Sequence, residues 1–195
     1  MLGEAAEVRS KETGSHIHRV SEYVKLLCQE SGMTRDEINL IYLASMLHDL
    51  GKLGIEDKIL NKPDKLSTEE FEQMKLHCQI GYEMLKSFPQ PVMKMAAKIA
   101  LEHHERYDGS GYPQKLKGEE ISLPARMVAI ADVFDALGTD RVYKQAWNQE
   151  KIVKHFSEEQ GRLFDPVLVS VLVKNMDQIL CIKQQKSFRY IASNW

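Results

Sequence analysis

The chain has 195 residues, of which 43% are hydrophobic and 28% are charged, and its formal net charge is -2. This length is enough for one well-buried core, and a charge so close to zero gives no overall basic field that would attract a nucleic-acid polymer. No apolar run approaches the roughly 20 residues of a membrane span, and three isolated cysteines give neither a disulfide framework nor a zinc knuckle. We therefore expect a single cytoplasmic domain. Small anionic molecules are not excluded as its substrates.

Two capping boxes mark helix starts, because in each a hydroxyl and a carboxylate three residues later can satisfy free backbone amides. The pairs are Thr34 with Glu37 and Ser67 with Glu70. The first helix is expected to end at Gly51, with His48 and Asp49 on its last turn. The second is expected to reach Ser87 and to carry His77 midway along its length.

Prolines and capping side chains mark the later helices, and no segment has the pattern of a strand. One helix is expected over residues 91–105 and ends in His103 and His104, and the next begins at Pro124 and carries Asp132 and Asp135. Two more are expected, one from Asn148 to Glu159 and one after Asp165. The connection over 106–123 contains YDGSGYP and LKGEE, which are too rich in glycine and proline for a helix, so a functional loop is expected. After about Asp177 the apolar pattern weakens, and residues 178–195 are interpreted as a short helix or a tail.

Histidines and acids recur along these helices in a way that indicates metal ligands. The candidates are His16, His48, Asp49, His77, His103, His104, Asp132 and, one helical turn before His16, Glu12. Such donors, spread over about 120 residues, can meet only when the chain folds. Binding of one or more divalent ions is what would stabilise so many of them in one place. One metal site would be formed by His16, His48 and Asp132, and a neighbouring site by His77, His103 and His104. Asp49 would bridge the two ions, and Glu12 could extend the cluster to a third ion.

These shells of nitrogen and oxygen donors contain no thiolate, which favours iron or manganese over a structural zinc but leaves catalytic zinc open. A single helical histidine is more often packed or solvated than bound to a metal, so the interpretation depends on the joint pattern. Two ions about 3.5 to 4 Å apart can hold a bridging hydroxide as nucleophile and steady the leaving oxygen of a displacement at phosphorus. A phosphodiester is the natural substrate of such a centre.

Three further features are candidates for a functional role, the first two as contacts to a phosphate, and each has an ordinary structural alternative. Lys52 lies close enough to the His-Asp pair to approach the metals, or it compensates the end of its helix. Arg141 and Lys144 could grip phosphates together, or they form an exposed basic face. Tyr112 and Pro113 put an aromatic ring and a rigid bend on the loop, where a tyrosine ordinarily covers apolar surface.

Several long segments closely resemble one known family. HDLGKLGIEDKILNKP, HHERYDGSGYPQKLKGEEI and ARMVAIADVFDALGTDRVYK are similar to the HD-GYP family, a branch of the HD-domain metal phosphohydrolases that hydrolyses cyclic di-GMP in bacterial signalling. The resemblance covers roughly residues 12–173, within a catalytic domain expected over 1–177. It implies a single-domain, all-α HD-type helical bundle with two or three metal ions in its helical core, commonly iron or manganese, and a long GYP loop.

The resemblance also implies roles for individual residues. It implies that the eight candidate donors bind metal, with Glu12 favouring a three-metal centre. The residues implied at the substrate are Lys52, Gly111, Tyr112, Pro113, Arg141 and Lys144, with Asp49 and Lys52 as the catalytic pair. The chain departs from the family pattern at Asp64, Cys78, where a proline often follows the histidine, Gly138 and Val142. None of these departures removes a donor.

The activity that the resemblance implies is cleavage of cyclic di-GMP to pGpG through a metal-bridging hydroxide, and further cleavage of pGpG to GMP stays open. Two alternatives stay open. The substrate could be cyclic GMP-AMP, or the domain could be a non-catalytic signalling module whose GYP loop recruits partner proteins such as diguanylate cyclases. The sequence is compatible with a homodimer. It is also compatible with a role as the output domain of a longer receptor in the bacterial cytoplasm.

Overall fold

The structure is a computed structural model, in which residues 2–10, 15–140 and 145–193 are described. The helices are α1 (Leu2–Arg9), α2 (Ser15–Glu30), α3 (Arg35–Ser45), α4 (Asp57–Leu60), α5 (Thr68–Leu85), α6 (Pro91–Glu102), α7 (Leu123–Gly138), α8 (Gln149–Glu159), α9 (Pro166–Lys174) and α10 (Met176–Ser193). Two 3₁₀ segments, Leu50–Gly54 and Gly118–Glu120, lie between them. Within the described ranges there is no strand, so the all-α prediction is confirmed.

The core forms where α2 and α7 cross, with α3, α6 and α10 packed around them. Val20, Val24 and Leu27 recur on one face of α2 at helical spacing and are fully buried. Tyr23 meets Phe134 of α7 edge to face, with ring centroids 5.2 Å apart. Each such side chain contributes about 1.5–3 kcal/mol by leaving water, which anchors α2 and α7 beside each other.

The helix starts follow the sequence signals closely. Both capping boxes form, at Thr34 and Ser67. The side chains of Asn148 and Asp165 accept the amides of the first turns of α8 and α9, as expected. Capping depends on neighbours three residues away, so these signals can be read from the sequence alone.

Two helix ends differ from the predictions. The helix expected to reach Gly51 ends at Ser45, because backbone bonds at i to i+3 spacing, such as His48 N to Ser45 O, tighten the chain into a turn. His48 and Asp49 therefore lie on a turn after α3 and not on its last helical turn. In the same way α6 ends at Glu102, with His103 as its C-cap and His104 beyond it.

Gly51 fixes the distance between this turn and α5. A Cβ at this position would collide with the carbonyl oxygen of His77 and would lie 2.5 Å from the amide nitrogen of Gly81. Only glycine lets the two backbones approach so closely. This contact sets Asp49 and Lys52 directly beside the α5 segment that carries His77.

The C-terminal helix α10 crosses residue 177, where the sequence interpretation divided domain from tail. Its Met176 and Ile179 are buried in the core, and α10 packs against α2. None of the described helices combines the length and the apolar character that a membrane span requires.

Candidate metal centre

The first donor set joins α2, the turn after α3 and α7. His16, His48 and Asp132 each offer a ligand atom, and these atoms all lie within 4.8 Å of one another. His16 Nε2 is 3.3 Å from Asp132 Oδ1, and the side chains of both histidines are almost fully buried. Three segments far apart in sequence thus present two nitrogens and one carboxylate to a common point.

The second donor set joins α5 to the end of α6. Its ligand atoms come from His77, Cys78, His103 and His104, and they too lie within 4.8 Å of one another. The ring centroids of His103 and His104 are 4.1 Å apart, and those of His77 and His104 are 5.0 Å apart. The sequence interpretation gave this set three histidines and no sulfur, whereas the structure adds a thiol.

Asp49 lies between the two sets. Its Oδ2 is 3.4 Å from His48 Nε2, and its Oδ1 is 3.4 Å from His77 Nε2 and 3.6 Å from His103 Nε2. These separations are longer than good hydrogen bonds, and they suit donors that share an ion. Lys52 Nζ is 2.7 Å from Asp49 Oδ2. Asp49 thus contacts both sets, which is the arrangement that a bridging ligand needs.

Orphaned polar atoms show that these residues fit a cation. His48 Nε2, Asp49 Oδ1 and His103 Nε2 are buried, and none has a hydrogen-bond partner among the described residues. Leaving such atoms unpaired costs about 1–3 kcal/mol each. One ion at each donor set, with Asp49 shared between them, would satisfy all three.

The histidines are oriented so that their free nitrogens face this space. The Nδ1 of His48 lies 2.8 Å from the Ser45 carbonyl oxygen, and the Nδ1 of His77 lies 2.7 Å from that of Met74. Because a carbonyl can only accept, each Nδ1 carries the proton and each Nε2 keeps its lone pair. His103 follows the same pattern, with its Nδ1 3.1 Å from a carbonyl oxygen of α6.

Charge at Asp49 and at the second donor set also favours a bound cation. Burial lowers the pKa of His77 to about 4, so its ring is neutral and able to ligate at physiological pH. Burial raises the pKa of Asp49, but the ammonium of Lys52 beside it acts in the opposite direction, and that pKa stays well below its usual range. Asp49 is therefore ionised although it is buried.

A buried network that the sequence interpretation missed supports His16. Asp135 Oδ2 accepts from His16 Nδ1 at 2.8 Å, and Asp135 receives a two-pronged contact from Arg19 at 2.6 and 2.7 Å. Arg19 also donates to Ser15, and the hydroxyl of Tyr23 lies 3.4 Å from Asp135. The spacing of Asp135 from Asp132 was noted in the sequence, but nothing local indicated that Arg19 would meet it across the bundle.

Arg9 supports the segment that carries Lys52. From α1 it donates to the carbonyl oxygens of Lys52, Leu53 and Ile55, and its Nε lies 3.1 Å from Asp57 Oδ1. These carbonyls lie at the end of a 3₁₀ segment, where helical partners run out, although the Lys52 carbonyl also accepts the amide of Ile55. Arg9 was not identified from the sequence, because its partners are more than 40 residues away.

Glu105 fixes the loop after α6 from within. Its carboxylate is buried and accepts the backbone amides of Gln114, Lys115 and Leu116 at 2.6–3.1 Å. Burial raises its pKa, although these three amides act in the opposite direction. One side chain thus folds the loop back toward the donor sets.

The GYP residues lie against the second donor set. A Cβ on Gly111 would lie 2.5 Å from the Cα of Glu105, so glycine is required there. The Tyr112 ring stacks on His104 with centroids 4.9 Å apart, and a cis peptide bond joins Tyr112 to Pro113. Tyr112 also meets Phe71 of α5 edge to face, with centroids 6.2 Å apart.

Three predicted site residues lie outside the described residues. They are Glu12, Arg141 and Lys144. A third metal, and contacts of this basic pair with phosphate, therefore stay predictions.

A model of the HD domain family matches residues 1–168 of the chain. The chain belongs to the HD-domain family. Its resemblance to the HD-GYP branch is confirmed, and His48 and Asp49 form the pair in the middle of the two donor sets. HD-domain phosphohydrolases bind divalent metals, and the donor sets found here could hold such ions.

Two similar proteins have names that state their activities. The 3'3'-cGAMP-specific phosphodiesterase 2 of Vibrio cholerae is 43% identical over 93% of this chain and 35% of its own length. The cyclic di-GMP phosphodiesterase response regulator RpfG of Xanthomonas campestris is 44% identical over 91% of this chain and 47% of its own. The HD-domain chain therefore spans less than half of each of these relatives.

A solved structure supports the fold. The crystal structure of a cyclic GMP-AMP specific phosphodiesterase of V. cholerae, V-cGAP3, aligns with a TM-score of 0.68 at 20% identity, over 98% of this chain and 53% of that chain. At this identity the likeness concerns the fold alone, and it agrees with the HD-type helical bundle expected from the sequence.

Proposed function

We propose that this HD domain is a metal-dependent phosphodiesterase that hydrolyses cyclic di-GMP to pGpG and on to GMP. The observation that carries the proposal is the contact of Asp49 with both donor sets, with Lys52 Nζ 2.7 Å from the same carboxylate. The activities named for its relatives, such as RpfG, support the cyclic dinucleotide as the substrate class.

We assign one ion to His16, His48 and Asp132, and a second to His77, His103 and His104, with Asp49 shared and Glu12 reserved for a third. Iron is the proposed metal and manganese the alternative, because histidine and carboxylate donors suit both. When bound, these ions supply Lewis acidity and an activated water at neutral pH.

The other site residues bind and position the substrate. The ammonium of Lys52 is mostly buried and close to Asp49, so it can donate to a phosphate oxygen at the reacting phosphorus. Tyr112 stacks on His104 beside the second donor set, and the resemblance to the HD-GYP family implies that it lies next to the substrate. Gly111 and Pro113 set the loop backbone, and Arg141 with Lys144 are proposed to hold the phosphates.

A second candidate substrate is cyclic GMP-AMP, because a relative with a similar level of identity carries that specificity in its name. Both substrates share the phosphodiester ring and differ in one base. The choice between them therefore depends on the nucleobase contacts and not on the metal centre. Recruitment of partners such as diguanylate cyclases, a homodimer and a cytoplasmic location stay expectations from the sequence.

The test is a product assay on the purified domain, loaded without oxygen with Fe(II) or with Mn(II). Cyclic di-GMP and cyclic GMP-AMP are supplied separately, and linear dinucleotides and mononucleotides are separated by chromatography. His48→Ala and Asp49→Asn are expected to lose metal and turnover together. His18→Ala is the matched control, since His18 pairs with Glu4 outside the donor sets. Metal-loaded protein that cleaves neither nucleotide would refute the proposal.

A further inference from the structure

The thiol of Cys78 lies inside the second donor set. Its Sγ is 3.5 Å from His77 Nε2, and it belongs with the ligand atoms of His103 and His104 to a group that spans no more than 4.8 Å. Cys78 is fully buried. From the sequence it was only a departure from the family pattern, with no role assigned.

The separation of sulfur and nitrogen matches two ligands of one ion. Bonds of about 2.0–2.1 Å to nitrogen and about 2.3 Å to sulfur put two neighbouring donors of one ion about 3.1–3.8 Å apart, for angles between about 90° and 120°. The distance from Cys78 Sγ to His77 Nε2 is 3.5 Å. The Nε2 of His103 is buried, has no hydrogen-bond partner among the described residues and belongs to the same donor group, so a second observation points to a cation here.

The thiol has one other role available, as a weak hydrogen-bond donor to His77. Because His77 Nδ1 faces the Met74 carbonyl, its Nε2 offers a lone pair that a thiol proton could use. That lone pair is the one that a metal would take, so the hydrogen bond cannot survive metal binding. Unless the sulfur leaves the donor group, it then lies within 4.8 Å of every other ligand atom of the set, where a soft donor can bind the ion. Full burial among packed side chains leaves it little room to leave.

We propose that Cys78 is a sulfur ligand of the ion held by His77, His103 and His104. The inference rests on the metal centre of the proposed function and adds a donor to it. Coordination forms the metal–sulfur bond and releases the thiol proton to solvent. The two sites then differ in kind, since the His16 set has only nitrogen and oxygen donors. A sulfur donor shifts the second site toward softer ions such as Fe(II), Co(II) and Zn(II), and away from Mn(II).

Spectroscopy of the cobalt-substituted protein tests this assignment without any measurement of activity. With Co(II) bound, wild-type protein is expected to show a sulfur-to-cobalt charge-transfer band in the near ultraviolet, and X-ray absorption should show a sulfur neighbour at about 2.3 Å. Cys78→Ser keeps the size of the side chain, and Cys78→Ala removes the donor. Both variants are expected to lose the band.

Cys181→Ser is the matched control, because Cys181 is exposed on α10, and it is expected to keep the band. A wild-type protein that binds cobalt without the band would overturn the proposal, as would a band that survives in Cys78→Ala. A protein that takes up no cobalt would overturn both the metal centre and this ligand.

Metal preference gives a second, independent measurement. The affinity for Zn(II) relative to Mn(II) is expected to fall in Cys78→Ser by at least about 10-fold, which is the lower limit found for residues that only orient metal ligands. An unchanged ratio would contradict the assignment. The two proposals can fail separately. A charge-transfer band without hydrolysis contradicts only the phosphodiesterase activity, whereas hydrolysis without the band contradicts only the sulfur ligand.

Discussion

Removing the charge of Asp135 is expected to weaken both the fold and one half of the metal centre. The carboxylate is 2% exposed and binds the guanidinium of Arg19, whose side chain is 5% exposed. Breaking a buried pair of this kind by removing one partner costs about 3–5 kcal/mol, because the other charge is left uncompensated. Asp135→Asn keeps the shape and one acceptor oxygen, so we expect the lower end, about 3 kcal/mol.

Urea unfolding of the metal-free domain, kept so with a chelator, measures this effect directly. A loss of about 3 kcal/mol corresponds to a fall of about 6–12 °C in the melting temperature of a protein of this size. Lys58→Ala is the control, because Lys58 pairs with Glu56 in an exposed ion pair, and it is expected to leave stability measurably unchanged. If Asp135→Asn stays within about 1 kcal/mol of wild type, the argument from the buried pair is wrong.

The pH dependence of stability gives a second check on Asp135. Burial raises its pKa, but hydrogen bonds from Arg19 and His16 outweigh this and hold the pKa below the ordinary value. A carboxyl with a depressed folded-state pKa contributes stability that is present above the unfolded value of about 4 and is lost as pH falls through the folded value. Asp135→Asn should remove that part of the acid dependence.

A double variant separates the two roles of the network. Arg19→Met with Asp135→Leu buries no unpaired charge, so it should recover stability relative to Asp135→Asn. It cannot restore the acceptor for His16 Nδ1. Metal affinity at the site of His16, His48 and Asp132 should therefore stay about 10- to 100-fold below wild type, as expected when the partner of a ligand histidine is lost.

Three further predictions address the turn, the loop and the reacting phosphate. Gly51→Ala should lower the free energy of unfolding and the metal affinity together, because the added Cβ collides with the His77 carbonyl. Wild-type values in both the urea titration and the metal titration would contradict the close approach of the two backbones. Glu105→Gln should keep metal content but speed amide hydrogen exchange at residues 114–116 and raise KM, whereas unchanged exchange would show that the carboxylate does not hold the loop. Lys52→Met should keep its metals and lower kcat by about 10²-fold or more, and an unaltered kcat would exclude Lys52 from the reacting phosphate.

The sequence predicted what depends on local pattern or on residue identity. The capping boxes at Thr34 and Ser67 depend on residues three apart, so they were predicted correctly. The donors that the structure brings together were chosen by residue type and by their joint occurrence along the chain. The end of α3 was missed, because helix propensity continues past Ser45 while the chain tightens into i to i+3 bonds.

Partners that meet across the bundle were beyond the reach of the sequence. Arg19 meets Asp135 at a separation of 116 residues, and Arg9 meets the carbonyl of Ile55 at a separation of 46. Neither arginine has a local pattern that distinguishes it from a surface cation. The place of Cys78 among the histidines was missed for a related reason, since it depends on how the end of α6 docks on α5.

Four histidines of the two donor sets are held in two different ways. His48, His77 and His103 each anchor Nδ1 on a carbonyl three or four residues earlier, so their orientation is set by their own turn of chain. The Nδ1 of His16 instead depends on Asp135, which is itself fixed by Arg19. The site of His16 should therefore be the first to lose its ion when packing between α2 and α7 is loosened, while the site of His77 persists. Metal titration of a core variant at the α2–α7 contact, such as Phe134→Leu, should show this order, and loss of both ions at one midpoint would contradict it.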